Sequence, residues 1–359
     1  MRIFGKEYTR EELKQRIGDI SQIAGIKSYT LNEGRAKGVD AMDVRTGSGF
    51  SFTVLPGRAM DIAWMDYKGM PVSYITKAGI TNSQYYQPYG YEWLRSFYGG
   101  MLTTCGLTHV GPPGKDGIWD LGIHGRISNT PAEEVSCNIE WEGNELVLTV
   151  QGKMREAVLY EENMVLSRKI VARGGENKVF VYDEIKNDSY QDTPFMLLYH
   201  INIGFPLLSE QSCLIVPVIE TKAHDEDAIK NIKQFDRFEV PVQGYAAQVF
   251  SHKLAADNNA NTCAGIINES MGFGFYIKYN KKELPFFTEW KMMGQQDYVV
   301  GLEPGSCLPI GRSAAREKGG LEMLKPGERR TVKLELGILT SEGEIQDFKD
   351  YTSGIRGTD

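Results

Sequence analysis

Strand-like segments separated by turn residues recur along most of this chain and constrain its fold more than any other feature. Residues 331–338 alternate strictly between polar and apolar side chains, and residues 273–279 carry an apolar or aromatic side chain at every second position. A period of two is typical of a strand with one buried face. The apolar runs 146–150 and 178–185 each follow a turn signal that contains Gly and Asn. Many short strands with such punctuation predict an all-β sandwich or barrel.

The two ends of the chain follow a different pattern. Thr9 to Glu12 has the form of a helix capping box, and apolar residues from Leu13 to Ala24 then recur at helical spacing. The end of the chain is polar, and we expect it to form a turn of helix or to fray. We therefore predict a helical N-terminal extension over residues 1–35, one β domain over residues 36–340 and a polar C-terminal tail over residues 341–359.

Composition excludes several classes of partner. The chain has 359 residues, a formal net charge of -7 and a pI near 5.5, whereas nucleic acids and anionic membranes select basic surfaces. No segment approaches the roughly 18 apolar residues of a membrane span, and the N-terminus lacks the apolar core of a signal peptide. Five scattered cysteines without a Cys-x-x-Cys pair favour reduced thiols in a cytoplasmic protein. A homodimer remains open.

Motifs for nucleotide binding, for a zinc protease and for a serine hydrolase are absent from the sequence. The remaining candidates are isolated polar residues in apolar or Gly-rich settings, where burial of an unpaired charge is costly. Each also has a purely structural interpretation, such as a core histidine, an ion pair or the anchor of a turn. These candidates are Arg58 and Asp61 after a strand, His124 and Arg126 in a Gly-x-His-Gly-Arg segment, His200 and Asn202 at the end of an apolar run, Lys291, and Glu303 at the end of another apolar run.

Together these stretches resemble the aldose 1-epimerase (galactose mutarotase-like) superfamily, and within it the DUF4432 branch. The resemblance rests on Pro-Gly-Arg-Ala-Met-Asp-Ile at 56–62, His-Gly-Arg at 124–126, Trp-Lys at 290–291 and Gly-Leu-Glu-Pro at 301–304, and it extends over about residues 35–340. It implies a β-supersandwich with a carbohydrate groove on a concave sheet. It also implies interconversion of the α and β anomers of an aldose, with no cofactor and no metal.

The resemblance also implies roles for individual residues. Glu303 corresponds to the general base that removes the proton of the C1 hydroxyl, and His200 to the general acid that protonates the ring oxygen. His124 corresponds to a second histidine near C1, and Arg58 to an arginine that holds sugar hydroxyls. The aspartate that many members use has no clear counterpart, although Asp61 or Asp297 could substitute. Asn202 beside His200 is a further expected contact with the sugar.

Three cations among the candidates suggest an acidic substrate. Lys291, Arg126 and Arg58 would make the groove unusually basic for a neutral hexose. We therefore hypothesise a sugar that bears a carboxylate, phosphate or sulfonate, which arginine binds well.

Three alternatives stay open. The first is a carbohydrate-binding protein on the same fold that is noncatalytic or catalyses a different reaction. The second is a metal enzyme with both histidines of the motifs and Glu303 as ligands, although the His-x-His pair typical of cupins is missing. The third is a glycosidase with Glu289 and Glu303 as paired carboxylates. The remaining histidines carry no motif, and we expect surface or loop positions for His109, His224 and His252.

Overall fold

The structure, a computed structural model, describes residues 1–3 and 5–355. Its helices are α1 (Arg10–Lys14), α2 (Glu226–Asn231), α3 (Arg312–Glu317) and α4 (Glu342–Gly354). Its strands are β1 (Arg2–Ile3), β2 (Lys6–Glu7), β3 (Gly25–Thr30), β4 (Asp40–Arg45), β5 (Phe50–Leu55), β6 (Asp61–Tyr67), β7 (Met70–Pro71), β8 (Thr103–Leu107), β9 (Gly114–Asp116), β10 (Trp119–Leu121), β11 (Glu133–Glu142), β12 (Glu145–Ala157), β13 (Asn163–Arg173), β14 (Lys178–Asn187), β15 (Thr193–Gly204), β16 (Ser212–Ile215), β17 (Val218–Ala223), β18 (Gln248–Leu254), β19 (Asn261–Asn268), β20 (Phe273–Asn280), β21 (Phe286–Met293), β22 (Tyr298–Gly305), β23 (Glu322–Leu324) and β24 (Arg329–Leu339).

Two large antiparallel sheets enclose the main core. The first has the strand order β11-β12-β13-β14-β24-β20-β19-β16. The second has the order β17-β18-β21-β22-β15-β23, with β8 paired to β15 as well. A five-stranded meander, β3 to β7, stands beside them. Side chains from both large sheets meet in one hydrophobic cluster, so the prediction of an all-β fold is confirmed.

Strand β15 is buried on both faces, and this explains its unbroken apolar sequence. Leu197, Tyr199 and Ile201 point into the core between the sheets. Met196 and Leu198 point the other way, into a smaller cluster that includes aromatic residues of the segment 92–97. We call the face that carries Met196 and Leu198 the outer face of the second sheet. Successive side chains of a strand alternate between faces, so His200 and Asn202 also lie on the outer face.

The N-terminal segment is less helical than predicted. The capping box is present, with the Thr9 and Glu12 side chains each accepting from the other residue's backbone N–H. However, α1 ends at Lys14, and a short 3₁₀ turn begins after Asp19, whose side chain accepts from the Ser21 N–H. Asp and Gly favour such turns over helix interiors. Strand β3 then pairs with β4, so the predicted domain boundary at residue 35 falls inside a sheet.

The C-terminal tail is better ordered than predicted. Ser341 caps α4, which spans 13 residues. Ile345 and Phe348 of this helix pack against residues of β19 such as Cys263 and Ile267. Residues 356–359 of the predicted tail lie outside the described residues. In the described part of the chain, no helix is long and apolar enough to cross a membrane.

Candidate active site

His200 and Glu303 form a buried pair on the outer face. The register of β15 and β22 matches Ile201 with Leu302, and residues directly opposite in an antiparallel pair project to the same face. His200, which precedes Ile201, therefore lies beside Glu303, which follows Leu302. His200 Nε2 lies 3.1 Å from Glu303 Oε1, and the two residues are only 5% and 4% exposed.

Gly301 leaves the space that this pair occupies. A Cβ atom at Gly301 would lie 2.9 Å from Glu303 Oε1 and 3.1 Å from His200 Cε1. Both distances are shorter than side chains tolerate without displacement. A side chain at position 301 would therefore displace the Glu303 carboxyl group or the His200 ring.

His124 approaches the pair from a strained turn. Its φ of 58° lies in the left-handed region, which non-glycine residues adopt mainly where the surrounding structure imposes it, often at functional sites. Backbone hydrogen bonds to Gly106 and Gly111 hold the turn. The His124 ring centroid lies 6.1 Å from that of His200. A Cβ atom at Gly125 would lie 2.3 Å from Gly106 O, so the glycine after His124 permits this close approach.

Aromatic rings enclose the two histidines. Trp93 lies 5.1 Å from His124, and Phe97 and Trp290 lie 5.2 and 5.4 Å from His200, measured between ring centroids. The Trp93 indole donates a hydrogen bond to the Ser128 hydroxyl at 2.8 Å. Rings of this kind offer flat apolar faces, and a bound sugar has matching apolar faces.

Burial drives the ionisable groups of the site toward their uncharged forms. It raises the pKa of Glu303 to about 8 and lowers the pKa of His200 to about 4. The pKa of His124 falls to about 3, because of burial first and then the neighbouring His200 and His109. At neutral pH, the His200–Glu303 pair therefore holds one proton, on the carboxyl group. The Nδ1 atoms of His124 and His200 are buried and lack a hydrogen-bond partner in residues 1–3 and 5–355.

A family model described as a domain of unknown function, DUF4432, matches residues 36–338. The chain belongs to the DUF4432 family. No curated protein sequence matches this DUF4432 protein. The match confirms the family expected from the sequence motifs.

Solved structures extend the comparison to the fold. A candidate aldose 1-epimerase from Klebsiella pneumoniae is 21% identical, with a TM-score of 0.89 over 98% of this chain and 91% of that one. A galactose mutarotase-like protein from Clostridium acetobutylicum is 15% identical, with a TM-score of 0.64 over 88% and 99%. A galactose 1-epimerase from Lactobacillus acidophilus is 14% identical, with a TM-score of 0.57 over 89% and 100%. These similarities establish the predicted galactose mutarotase-like fold, a β-supersandwich.

Arg58 of the DUF4432 protein is committed to backbone carbonyl groups. Its guanidinium group donates to Ser128 O at 2.8 Å, to Ser96 O at 3.0 Å and to Thr81 O, and it lies over the Tyr98 ring. It therefore joins the segment that carries Trp93 and Phe97 to the backbone at Thr81 and Ser128. The structure does not bring it into contact with the histidines, and no Arg58–Asp61 ion pair forms.

Asp61 belongs to a buried network on the core side. It forms an ion pair with Arg168 at 2.8 Å and accepts from the Thr104 hydroxyl at 2.6 Å. Arg168 also binds Asp183 at 2.7 Å, and the Tyr199 hydroxyl donates to that same carboxylate. Because Tyr199 points into the core, the structure does not bring Asp61 to the outer face.

Lys291 lies on the opposite face of the sheet from the His200–Glu303 pair. The register matches Thr288 with Glu303 and Lys291 with Val300, so Lys291 projects to the core side. It is fully buried and binds Glu239 at 3.0 Å and the Arg237 carbonyl at 2.5 Å.

Asn202 and Arg126 lie closer to the predicted positions. Asn202 is on the outer face, two residues beyond His200, and donates to the carbonyls of Gly100 and His200 at 3.0 and 2.9 Å. Arg126 follows the strained turn and is exposed. Both remain candidates for substrate contact.

The structure bears on two of the alternative functions. No group of three or more His, Cys, Asp and Glu side chains within the described residues is arranged to hold a metal ion. Glu289, the second carboxylate of the glycosidase hypothesis, is matched with Leu302 and therefore projects to the core side. It cannot flank a groove together with Glu303.

Of the histidines without motifs, His252 was predicted wrongly, whereas His109 lies in a loop as predicted. His109 is buried, with Nε2 3.0 Å from Pro112 O and Nδ1 accepting from the Arg312 N–H. His252 is buried in β18 and lies 3.1 Å from Glu289. His252 is therefore a satisfied residue of a buried strand, which a sequence without a periodic context does not reveal, whereas His109 is a satisfied residue of a buried loop. His224 is exposed, as predicted.

Several residues of the site carry no recognisable signal in the sequence. Phe97 and Thr288 were not singled out, and Trp290 was used only as part of a motif. The signal for Thr288 is its register opposite Glu303, and register between strands that are far apart in sequence is not readable from one sequence.

Proposed function

We propose that this DUF4432 protein is an acid/base isomerase that interconverts the α and β anomers of an aldose. The observation that carries this proposal is the buried pair His200–Glu303, whose Nε2 and Oε1 atoms lie 3.1 Å apart. Anomer interconversion requires one donor and one acceptor of a proton at the same reacting centre, and it requires no redox step.

The proposed reaction moves one proton from the C1 hydroxyl to the ring oxygen. One member of the pair removes the proton from the C1 hydroxyl while the other protonates the ring oxygen. The bond between C1 and the ring oxygen breaks, and the C1 carbonyl forms. Rotation about the C1–C2 bond and the reverse proton transfers close the ring as the other anomer. Each positioned proton transfer contributes about 10²–10⁴-fold to the rate.

Ring opening and ring closure use the pair in opposite directions. The family resemblance makes Glu303 the base and His200 the acid at the start, whereas burial places the proton on Glu303 in the ligand-free site. Both assignments give the same net transfer, because every cycle returns the proton to the pair. The proposal therefore depends on the count of one proton and not on which residue holds it first.

His124 and the aromatic rings supply orientation in this proposal. His124 is unprotonated at neutral pH because burial lowers its pKa to about 3. Its free Nδ1 can accept a hydrogen bond from a sugar hydroxyl group near C1. The rings of Trp93 and Trp290 pack against apolar faces of the sugar and exclude water from the pair, which strengthens its electrostatic interactions.

The structure weakens the argument for an acidic substrate. Of the three cations behind it, Arg58 is bound to carbonyl groups and Lys291 lies on the core side. Of the three, only Arg126 is exposed, two residues after His124. We therefore propose a neutral aldose as the substrate.

The test is anomer exchange measured by NMR on a panel of neutral and acidic aldoses. We expect acceleration by the wild-type protein and a loss of at least about 10²-fold in Glu303→Gln and in His200→Asn. Glu289→Gln is the matched control, because it changes a buried carboxylate of the same sheet on the opposite face. If the wild type binds sugars but accelerates no anomer exchange, the proposal fails and the carbohydrate-binding alternative replaces it.

A further inference from the structure

A continuous row of polar residues crosses the outer face from the His200–Glu303 pair to the edge of the sheet. The register matches Thr103 with His200, Glu303 with Thr288, Thr288 with Ser251, and Ser251 with Lys222. Ile201 is paired with Leu302, so the neighbouring residues His200 and Glu303 also lie opposite each other. We call these residues the polar row: Thr103, His200, Glu303, Thr288, Ser251 and Lys222.

Thr288 is the residue of the row that indicates a ligand. It is only 1% exposed, and its hydroxyl group has no hydrogen-bond partner in the part of the chain that the structure describes. A buried hydroxyl without a partner costs about 1–3 kcal/mol, and buried polar groups are otherwise almost always paired. Thr288 stands directly beside Glu303, so its hydroxyl group is suited to a polar group bound next to the reacting centre.

The row is longer than one sugar ring. Neighbouring strands lie about 4.8 Å apart, so Ser251 is about 10 Å and Lys222 about 14 Å from Glu303 along the row. Trp290 follows Thr288 on the same face and is partly exposed, which gives the row an aromatic wall beside His200. The outer face therefore offers polar contacts and a flat apolar surface beyond the reach of one pyranose.

The charges at the far end favour a neutral ligand. Lys222 forms an ion pair with Glu220 at 3.4 Å, so its charge is compensated. Ser251 Oγ lies 2.8 Å from His224 Nε2, and burial lowers the pKa of His224, which leaves its imidazole uncharged at neutral pH. Hydroxyl and neutral imidazole groups suit the hydroxyl groups of a sugar better than a phosphate or carboxylate.

We propose that Thr288, Trp290, Ser251 and His224 form a second subsite for a neutral hydroxylated ring joined to the reacting aldose. The natural substrate class is then a reducing disaccharide, with its reducing end at His200 and Glu303 and its second ring over Ser251. This inference rests on the proposed function for the identity of the reducing end, but the subsite itself is a matter of binding.

The test compares a monosaccharide with a disaccharide on the same variants. Galactose and glucose are measured beside lactose and maltose, and the readout is the ratio of kcat/KM for disaccharide over monosaccharide. We expect a ratio above about 10 in the wild type, since each new hydrogen bond to the second ring contributes several-fold. Ser251→Ala and His224→Ala should each lower the ratio about 5- to 10-fold. Ser136→Ala, exposed in the other large sheet, should leave the ratio unchanged.

Thr288 is tested with a conservative pair of variants and a binding measurement. Thr288→Val removes the hydroxyl group at constant shape and should weaken the binding of lactose, measured by calorimetry, about 10-fold. Thr288→Ser keeps the hydroxyl group and should restore most of the affinity. Because the comparison is between two variants of one residue, a general loss of folding would affect both.

Failure of the subsite and failure of the proposed function give different results. If anomer exchange is catalysed equally on both classes of sugar and Ser251→Ala leaves the ratio unchanged, the subsite is overturned while the isomerase stands. If no exchange occurs but lactose binds more tightly than galactose and Ser251→Ala abolishes the difference, the subsite stands while the isomerase fails. If lactose does not bind at all, the subsite is overturned.

Discussion

The pH dependence of anomer exchange tests the state of the His200–Glu303 pair most directly. The pair is competent when it holds one proton. With a Glu303 pKa of about 8 and a His200 pKa of about 4, kcat/KM should stay near its plateau between about pH 4 and pH 8. At pH 9, one unit above the higher value, about one tenth of the free enzyme retains the proton, and kcat/KM should fall about 10-fold.

Unperturbed groups would give a different profile. With pKa values of 4.5 for a glutamate and 6.5 for a histidine, the state with one proton would be the ion pair, and it would lose its proton above pH 6.5. At pH 7.5 kcat/KM would already have fallen about 10-fold. The burial of the pair therefore shifts the descending limb by more than one pH unit toward alkaline pH.

The assay is polarimetry or NMR of freshly dissolved α anomer between pH 4.5 and pH 9.5, with the buffer-catalysed rate subtracted at each pH. The profile of kcat/KM reports the free enzyme, which is the state described by the structure, and the two limbs belong to the coupled pair. A descending limb near pH 6.5, or a rate that does not fall up to pH 9.5, would refute the argument that burial keeps the pair uncharged.

Three further predictions follow from the same packing. Since the folded pKa of Glu303 lies above its ordinary value, the contribution of Glu303 to stability falls as pH rises from about 4.5 to about 8. Glu303→Gln should therefore be more stable than the wild type at pH 9, by up to about 5 kcal/mol, and show no such gain at pH 4, in urea titrations at both pH values. Gly301→Ala should reduce kcat at least 10-fold with little change in the circular dichroism spectrum, because its Cβ would lie 2.9 Å from Glu303 Oε1. The control is Gly343→Ala, where a Cβ meets nothing within 4 Å in the described residues. Asp61→Ala should cost about 3–5 kcal/mol of unfolding free energy, because it leaves Arg168 buried with one partner fewer; a loss below 1 kcal/mol would contradict the structural role assigned to Asp61.

The fold was largely predictable because its signals are local. Alternation in 331–338 and the apolar runs 146–150 and 178–185 all lie in strands of the first sheet. The apolar run that carries His200 likewise lies in a strand, β15. The predicted N-terminal helix is longer than α1, which ends at Lys14. The apolar spacing from Leu13 to Ala24 fits both a helix and an irregular chain packed on a sheet edge, and tertiary context decides between them.

The site was predictable only where a motif places several residues together. His200 and Glu303 are adjacent in the structure, as the family resemblance implied, although about a hundred residues separate them in sequence. Lys291 was assigned to the groove because it follows Trp290, but consecutive residues of a strand point to opposite faces. The register between β21 and β22 decides whether Trp290 or Lys291 lies on the same face as Glu303. A shift of one residue would exchange the two side chains between the faces.

The same sheet contains a second buried histidine–carboxylate pair, and the comparison shows what distinguishes a site from a structural pair. His252 and Glu289 are also 3.1 Å apart and are buried on the core side. The other ring nitrogen of His252 is bound to the Thr221 hydroxyl at 2.9 Å, whereas the corresponding nitrogen of His200 is buried without a partner among the described residues.

Surroundings separate the two pairs further. The His252 ring lies 4.9 Å from Phe235 and 5.9 Å from Phe287, between ring centroids, so core side chains cover it. The His200 ring instead faces a second histidine on a strained turn, with φ of 58°. Distance and burial alone would select both pairs equally. The unpartnered Nδ1 of His200 and the strained backbone of His124 select His200–Glu303, and they predict that His252→Asn lowers stability while the rate of anomer exchange per folded molecule is unchanged. A loss of exchange in His252→Asn as large as in His200→Asn, at equal folded fraction, would show that this criterion chose the wrong pair.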